Sequence, residues 1–349
     1  MISHARQFLF TFAVGLLVAS AVAACSGTNA ALPGGPQRSG AIRPRTDQGV
    51  RRAALHSIEY FTGITGGSTP RGISVGRRGM WFTQPGSNQI GVIDAKGVVT
   101  EITAPTNGVN NIVQGADGNM WFTQSGADAI GRITPKGKVT LFSTGNEAYG
   151  PFDITAGSDG NLWFTFRSPS TNAIGRITTA GAVTLFTSGL SPGDIGVHDI
   201  AEGPDGNVWF TETFNNRIAS CTPSGVITEY SNGITSGAGL TDITAGPDGN
   251  LWFTEYSANQ VGRITTGGTV TEFSSGISPG AEPGGIAQAR GSLWFTEINA
   301  SNVARLTTSG QITEYAIPAQ LASDIAPSGN LSSLWITDYT GNGIVKVTP

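Results

Sequence analysis

The sequence predicts an all-β fold, a seven-bladed β-propeller of four-stranded blades whose last blade is closed by the N-terminal strand. Three observations carry the prediction. The motif Leu251-Trp252-Phe253-Thr254-Glu255 recurs along the chain, with its tryptophans at Trp81, Trp121, Trp163, Trp209, Trp252, Trp294 and Trp335, all seven that the chain contains. Successive differences between those numbers run from 40 to 46 residues, a period that signals a repeat architecture. Asp-Gly pairs between β-rich runs, at Asp117-Gly118, Asp159-Gly160, Asp205-Gly206 and Asp248-Gly249, are hairpin signals, and no segment has a helical period.

From the N-terminus, a short charged start ending at Arg6 precedes the apolar run 8–21, which is too short for a comfortable membrane span. It ends in Val22-Ala23-Ala24-Cys25, which resembles the bacterial lipoprotein signal: residues 1–24 are cleaved and Cys25 then carries lipid. The alternative is an ordinary signal peptide cut near Ala24. Lipid on Cys25 would anchor the protein to a membrane without a spanning helix. The protein is then exported and lipid-anchored in the bacterial cell envelope, with the outer membrane or periplasmic side favoured by Ser26. Residues 25–56 mix Gly, Pro, Ala, Ser and Arg with no apolar period and read as a flexible tether.

The propeller occupies 57–349. One unit reads as a strand at 242–246, a Pro-Asp-Gly-Asn turn, a second strand at 251–255, a third at 259–265 and a fourth at 269–274. The run Leu-Trp-Phe suits a strand covered on both faces, as radially stacked blades require. Fourth strands number six, at 98–103, 139–143, 183–187, 227–231, 270–274 and 312–316, against seven tryptophans. The missing one is Ile58-Glu59-Tyr60-Phe61-Thr62, which completes the last blade and leaves no open edge.

Composition excludes some classes. Charged residues are only 13% of the chain, and removing Arg6, Arg38, Arg43, Arg45, Arg51, Arg52 and Asp47 from 20 basic and 24 acidic residues leaves 14 and 23. The propeller is therefore acidic by a net of -9, unlike a nucleic-acid binder. Cys221 reads as a small buried filler, and no Cys-His cluster, phosphate loop or nucleophile elbow is present. A monomer is expected.

Hairpin geometry brings the residue before each first strand and the residue after each second strand to one rim. The first set is Arg71, Asn110, Phe152, His198, Thr241, Gly284 and Ser323; the second is Gln84, Gln124, Phe166, Glu212, Glu255, Glu297 and Asp338. Long variable connections open onto this rim, which marks it as the working face for a small molecule or an envelope protein. Four carboxylates in consecutive blades of the second set suit Mg²⁺ or Ca²⁺, with Glu297 and Glu255 as the ligands, or a cationic ligand. The bland reading is that each acid caps a turn or pairs with Arg263 or Arg305. His198, the one histidine of the propeller, is either a structural residue or a base.

The repeated Gly-Pro-Asp-Gly-Asn-Leu-Trp-Phe-Thr-Glu, followed by Asn-x-Ile/Val-Gly-Arg-Ile-Thr, resembles the virginiamycin B lyase (streptogramin lyase) family over about 57–349. The resemblance implies a seven-bladed propeller with Mg²⁺ on its axis that opens cyclic streptogramin B depsipeptides by elimination at the ester. In that scheme a histidine takes the proton alpha to a carbonyl while the metal polarises the substrate. The family's Glu-Pro-His-Gly-Ile segment reads Glu282-Pro283-Gly284-Gly285-Ile286 here, the glutamate after the next Trp-Phe-Thr is Glu297, and the earlier histidine position is Thr241. Both acids are kept and both histidines are replaced. The expectation is a ligand-binding or interaction module without streptogramin chemistry. The alternative is a metal-dependent lyase, or another metal-assisted enzyme such as a lactonase, using Glu282 and the other acids with His198.

Overall fold

The computed structural model describes residues 55–145, 150–166, 173–193 and 196–349. The signal segment, Cys25 and most of the tether lie outside these residues. Within them, 28 strands form seven four-stranded antiparallel sheets, and the one helical segment is a 3-10 turn at Ser125–Ala127. Six sheets take their strands consecutively, the first from Ile73–Gly76, Gly79–Gln84, Gln89–Ile93 and Val99–Thr103. The seventh joins the two ends of the propeller, as expected. Ser57–Phe61 runs antiparallel to Gly343–Thr348, from Ser57 opposite Thr348 to Phe61 opposite Ile344.

The motif residues explain why each blade forms. Every residue of the strand Leu251–Glu255 is buried. Trp252 stacks on Phe273 of its own fourth strand at 5.3 Å, the Arg263 guanidinium covers the pair, and the indole Nε1 donates to Asp248 Oδ1 at 3.0 Å. Phe253 takes the other face, and its ring fills the space beside Gly262, where a Cβ would lie 2.2 Å from it. This is the reason for glycine in the Gly-Arg-Ile-Thr strand. In the seventh blade the stacking partner of Trp335 is Phe61, at 5.5 Å, so the N-terminal strand supplies both the ladder and the aromatic of a fourth strand.

The core lies between blades. Trp252 packs with Ile286, Leu293 and Phe295 of the next blade, while Phe253 packs with Trp209 and Ile218 of the preceding one. No blade buries its own apolar faces alone, so the array is stable only as a stack. Cys221 is fully buried in one of these layers, and burial pushes its thiol up to about 12.

Candidate functional site

The first strand of a blade is interrupted near the axis. In the fifth blade Leu240 pairs with Glu255 and Ile243 with Phe253, so Thr241 and Asp242 bulge from the ladder; the same register shift recurs in the second, third, fourth, sixth and seventh blades. The threonine of Trp-Phe-Thr satisfies what the bulge leaves unpaired. Its hydroxyl accepts from the second bulged residue, as Thr254 does from Asp242 N at 3.1 Å. The hydroxyls of Thr83, Thr123, Thr165, Thr211, Thr254, Thr296 and Thr337 also bond the carbonyls of Asn110, Phe152, His198, Thr241, Gly284, Ser323 and Arg71 in the neighbouring blade, at 2.6 to 3.3 Å. These acceptors are the first rim set, so a continuous ring of threonines positions all seven residues.

Four of the seven also meet through side chains, and the last of them reaches the backbone of a fifth. The Arg71 guanidinium lies over the Phe152 ring at 4.5 Å, a cation–π contact, and its Nη1 donates to Asn110 Oδ1 at 3.4 Å. Phe152 and His198 meet edge to face at 4.9 Å. His198 Nδ1 lies 3.1 Å from Thr241 O, and because a carbonyl only accepts, Nδ1 carries the proton. The Thr241 hydroxyl lies 2.8 Å from Thr254 Oγ1. Gly284 is buried, with the Ile298 side chain where a Cβ would stand, and Ser323 is half-buried.

The second set differs from expectation. Gln84, Gln124, Phe166, Glu212, Glu255, Glu297 and Asp338 are all 0% or 1% exposed and lie inside the blades. Side chains alternate along a strand. Thr254 therefore reaches the next blade while Glu255 turns to the other face, beneath the loop that enters its own blade. Gln260 Nε2 donates to both Glu255 Oε2 and Thr235 Oγ1, at 2.7 and 3.1 Å, and the fourth-strand Glu272 accepts from Thr235 N and Oγ1. Glu297 accepts from Asn302 at 2.9 Å, while its fourth-strand neighbour Glu314 holds Ser278. Burial, with a neighbouring fourth-strand glutamate, pushes Glu212, Glu255 and Glu297 up to about 8. Asp338 caps a turn, accepting from Gln320 N, Leu321 N and Gly341 N and from the Tyr60 hydroxyl. Arg263 pairs with Asp248 and Arg305 donates to Ser292, so neither arginine partners these acids.

The second bulge position carries a ring that the sequence reading missed: Asn111, Asp153, Asp199, Asp242 and Asp324, with Gly72 and Gly285 in the remaining blades. Each aspartate reaches the following blade. Asp153 Oδ2 accepts from Ile200 N at 2.9 Å, Asp199 from Ile243 N at 2.7 Å, Asp242 from Ile286 N at 2.8 Å and Asp324 from Ile73 N at 2.9 Å. Burial raises all four, Asp242 to about 6, and the flanking Asp153 and Asp242 raise Asp199 further. The signal was present as Asp-Ile or Asn-Ile directly after five of the seven rim residues, with Gly-Ile after Arg71 and Gly284.

Glu282 stands on the rim between the fifth and sixth blades. Its φ of 57° is left-handed, at the position where Gly108, Gly196 and Gly239 also have positive φ, and a non-glycine residue there costs ~1 kcal/mol. Its carboxylate accepts from Asn299, and the half-buried Tyr256 hydroxyl beside it is pushed up to about 12 by burial and by that acid. A divalent cation needs several ionised oxygens converging on one point. Glu255 and Glu297 instead face into separate blades with burial favouring their neutral forms, and no group of three or more His, Cys, Asp or Glu among the described residues is arranged to hold a metal. As placed, these side chains do not fit the axial Mg²⁺ that the resemblance implies.

Among curated protein sequences none matches the chain. A family model described as the virginiamycin B lyase family matches residues 47–231 and 166–349. A streptogramin B lyase structure is similar at 32% identity and a TM-score of 0.78, covering 84% of this chain and 97% of that one. Virginiamycin B lyase from Staphylococcus aureus is similar at 35% identity, with a TM-score of 0.78 and coverage of 84% and 99%. A catalytically inactive histidine-to-alanine form of the Staphylococcus aureus enzyme, with quinupristin, gives 35% identity, a TM-score of 0.77 and the same coverage. A putative gluconolactonase at 13% identity shares the fold alone, with a TM-score of 0.57. Matches across both halves, identity above 30% over most of the chain and a seven-bladed ring closed by its N-terminal strand together establish that this chain belongs to the virginiamycin B lyase family.

Proposed function

We propose that this protein is a ligand-binding propeller of the bacterial cell envelope that keeps the family scaffold without its ring-opening chemistry. The observation that carries the reading is the pair Gly284 and Thr241, which stand where the family resemblance expects the two histidines. Gly284 offers no proton acceptor and is covered by Ile298, and Thr241 is tied into the threonine ring through its carbonyl and hydroxyl. General-base help is worth ~10² to 10⁴ in rate, so its loss removes most of the reaction. His198 lies one blade earlier than the Thr241 position, with Nδ1 committed to Thr241 O. In the similar Staphylococcus aureus protein, an inactive histidine-to-alanine form is seen with quinupristin, which supports a scaffold that holds a ligand without turning it over.

The arc of Arg71, Asn110, Phe152 and His198 is the proposed contact surface for a small molecule, with Glu282 on the far side of the rim. Lipid on Cys25 and the tether of 25–56 would hold the propeller at the membrane as a monomer. The full-length protein incubated with quinupristin and Mg²⁺ is expected to leave the ring intact when the products are separated chromatographically. Ring opening that requires Mg²⁺ and disappears in His198→Ala would replace this reading with that of an active lyase.

A further inference from the structure

The opposite rim, where the Asp-Gly turns lie, differs among blades in a way that points to a second site. In four blades the second-strand indole N–H ends on a carboxylate of the turn: Trp121 on Asp117 at 3.1 Å, Trp163 on Asp159 at 3.3 Å, Trp209 on Asp205 at 3.1 Å and Trp252 on Asp248 at 3.0 Å. The other carboxylate oxygen accepts an amide N–H from Asn119, Asn161, Asn207 or Asn250. Against burial, the bonds from the turn asparagines and the indoles hold Asp117 and Asp159 below the usual carboxylate range, with a smaller contribution from the third-strand Arg132 and Arg176, and Arg263 lies 3.8 Å from Asp248. Each blade thus builds a slot shaped for one carboxylate.

The first blade builds the slot without the acid. Its turn is only Arg77-Arg78, between the paired Gly76 and Gly79, so the Asp-Gly-Asn segment is missing. Trp81 is 1% exposed, and its Nε1 has no hydrogen-bond partner among the described residues. A buried donor without an acceptor is unfavourable and rare in native proteins. The third-strand arginine is also replaced, by Val92 opposite Trp81. Positive charge comes from the turn instead. Arg77 and Arg78 line a narrow, solvent-open cleft between the first and second blades, together with Trp81, Gln114, Met120 and Pro135, whose free space of about 10 Å³ admits a single water-sized oxygen. The exposed Arg77 guanidinium lies against Gly118, and Arg78 Nη1 donates to Pro135 O at 3.2 Å. The sixth blade provides a comparison: its turn is also short and Trp294 Nε1 is also unpartnered among the described residues, but its turn arginine, Arg290, donates to Pro349 O at 2.8 Å and its third-strand arginine, Arg305, opposite Trp294, donates to Ser292.

The geometry points to a binding site for a carboxylate supplied from outside the chain, taking the position that Asp117, Asp159, Asp205 and Asp248 fill in their own blades. One oxygen accepts from Trp81 Nε1 and the other from the guanidinium N–H groups of Arg77 and Arg78, the fork that matches a carboxylate best. The source is either a small free carboxylate or an acidic side chain of a partner protein. The site lies at the opposite rim from the proposed ligand surface and does not depend on it.

The test follows the indole N–H resonances of full-length ¹⁵N-labelled protein during titration with acetate at constant ionic strength. The Trp81 resonance is expected to move saturably, while those of Trp121, Trp163, Trp209 and Trp252, already bonded to aspartates, stay in place. The double variant R77Q/R78Q is expected to weaken binding by roughly tenfold or more, with the other indole resonances reporting an intact fold. A glutamate-rich peptide that acts at far lower concentration than acetate assigns the source to a partner protein; parity per carboxylate assigns it to a free acid. A stationary Trp81 resonance, equal shifts in the double variant, or all indoles moving together overturns the site. Inorganic phosphate displacing acetate at lower concentration overturns its assignment to carboxylates.

Discussion

Thr254 uses one hydroxyl for two jobs, accepting from Asp242 N and donating to Gly284 O. Valine has the same shape without the hydroxyl, so Thr254→Val leaves both backbone groups unpaired inside the blade contact. The expected cost is about 2–4 kcal/mol, against under about 1 kcal/mol for Thr254→Ser, measured by urea unfolding. A loss in Thr254→Ser as large as in the valine variant would mean that shape matters there and the hydroxyl does not. The axial aspartates carry a pH dependence whose sign can be worked out. Burial holds Asp242 at about 6 in the folded protein against an ordinary value of ~3.9, so the folded state binds more protons between those values. Its contribution to stability is therefore present below about pH 4 and lost as pH rises through about 6. Asp242→Asn removes that slope, and the stability of the variant relative to wild type should improve from pH 4 to pH 7; a gap that stays constant across this range would refute the assignment.

Among the elements, Ser57–Phe61 has the largest consequence for its size. It supplies five ladder pairs to Gly343–Thr348, the aromatic that stacks on Trp335, and the Tyr60 hydroxyl that donates to Asp338. Phe61→Ala loses the stack and part of the buried ring, about 2 kcal/mol for a half-buried side chain. Removing residues 55–62 exposes a strand edge on the seventh blade and the last layer of core, so the shortened propeller should self-associate in light scattering as well as melt earlier. A monomeric shortened chain with unchanged Tm would show that the closure is dispensable. The fourth-strand glutamates work on a smaller scale. Glu101, Glu229, Glu272 and Glu314 each bind the backbone N–H and hydroxyl of Thr65, Ser191, Thr235 or Ser278, fixing the loop that enters the same blade.

For the whole molecule, the proposed function joins a rim without a histidine at Gly284 or Thr241 to an anchor at the N-terminus. If Cys25 carries the lipid, Cys25→Ser moves the protein from the membrane fraction to the soluble fraction without changing the propeller; an unchanged distribution would remove the anchor from the proposal. Much of this architecture was legible in the chain. A period of 40 to 46 residues, one apolar strand per period and six fourth strands for seven tryptophans leave little besides a seven-bladed ring closed by its own N-terminus. The first rim set was legible as well, because antiparallel hairpins return to the same edge.

The sequence by itself determined the number of blades, their closure and the positions of the first rim set, since these follow from spacing and strand alternation, which are local. Only the tertiary structure decided where Glu255 and Glu297 point, because their burial depends on an entry loop about twenty residues earlier and a fourth-strand glutamate seventeen residues later. The axial aspartates were likewise beyond local reasoning. A bulge releases two consecutive residues from the ladder, and carboxylates such as Asp242 and Asp324 bond the backbone of the next blade as well as that of their own. That the Asp-Gly pair is absent before Trp81 can be read from the sequence, but that the indole N–H there is buried with no substitute acceptor among the described residues is visible only in the fold.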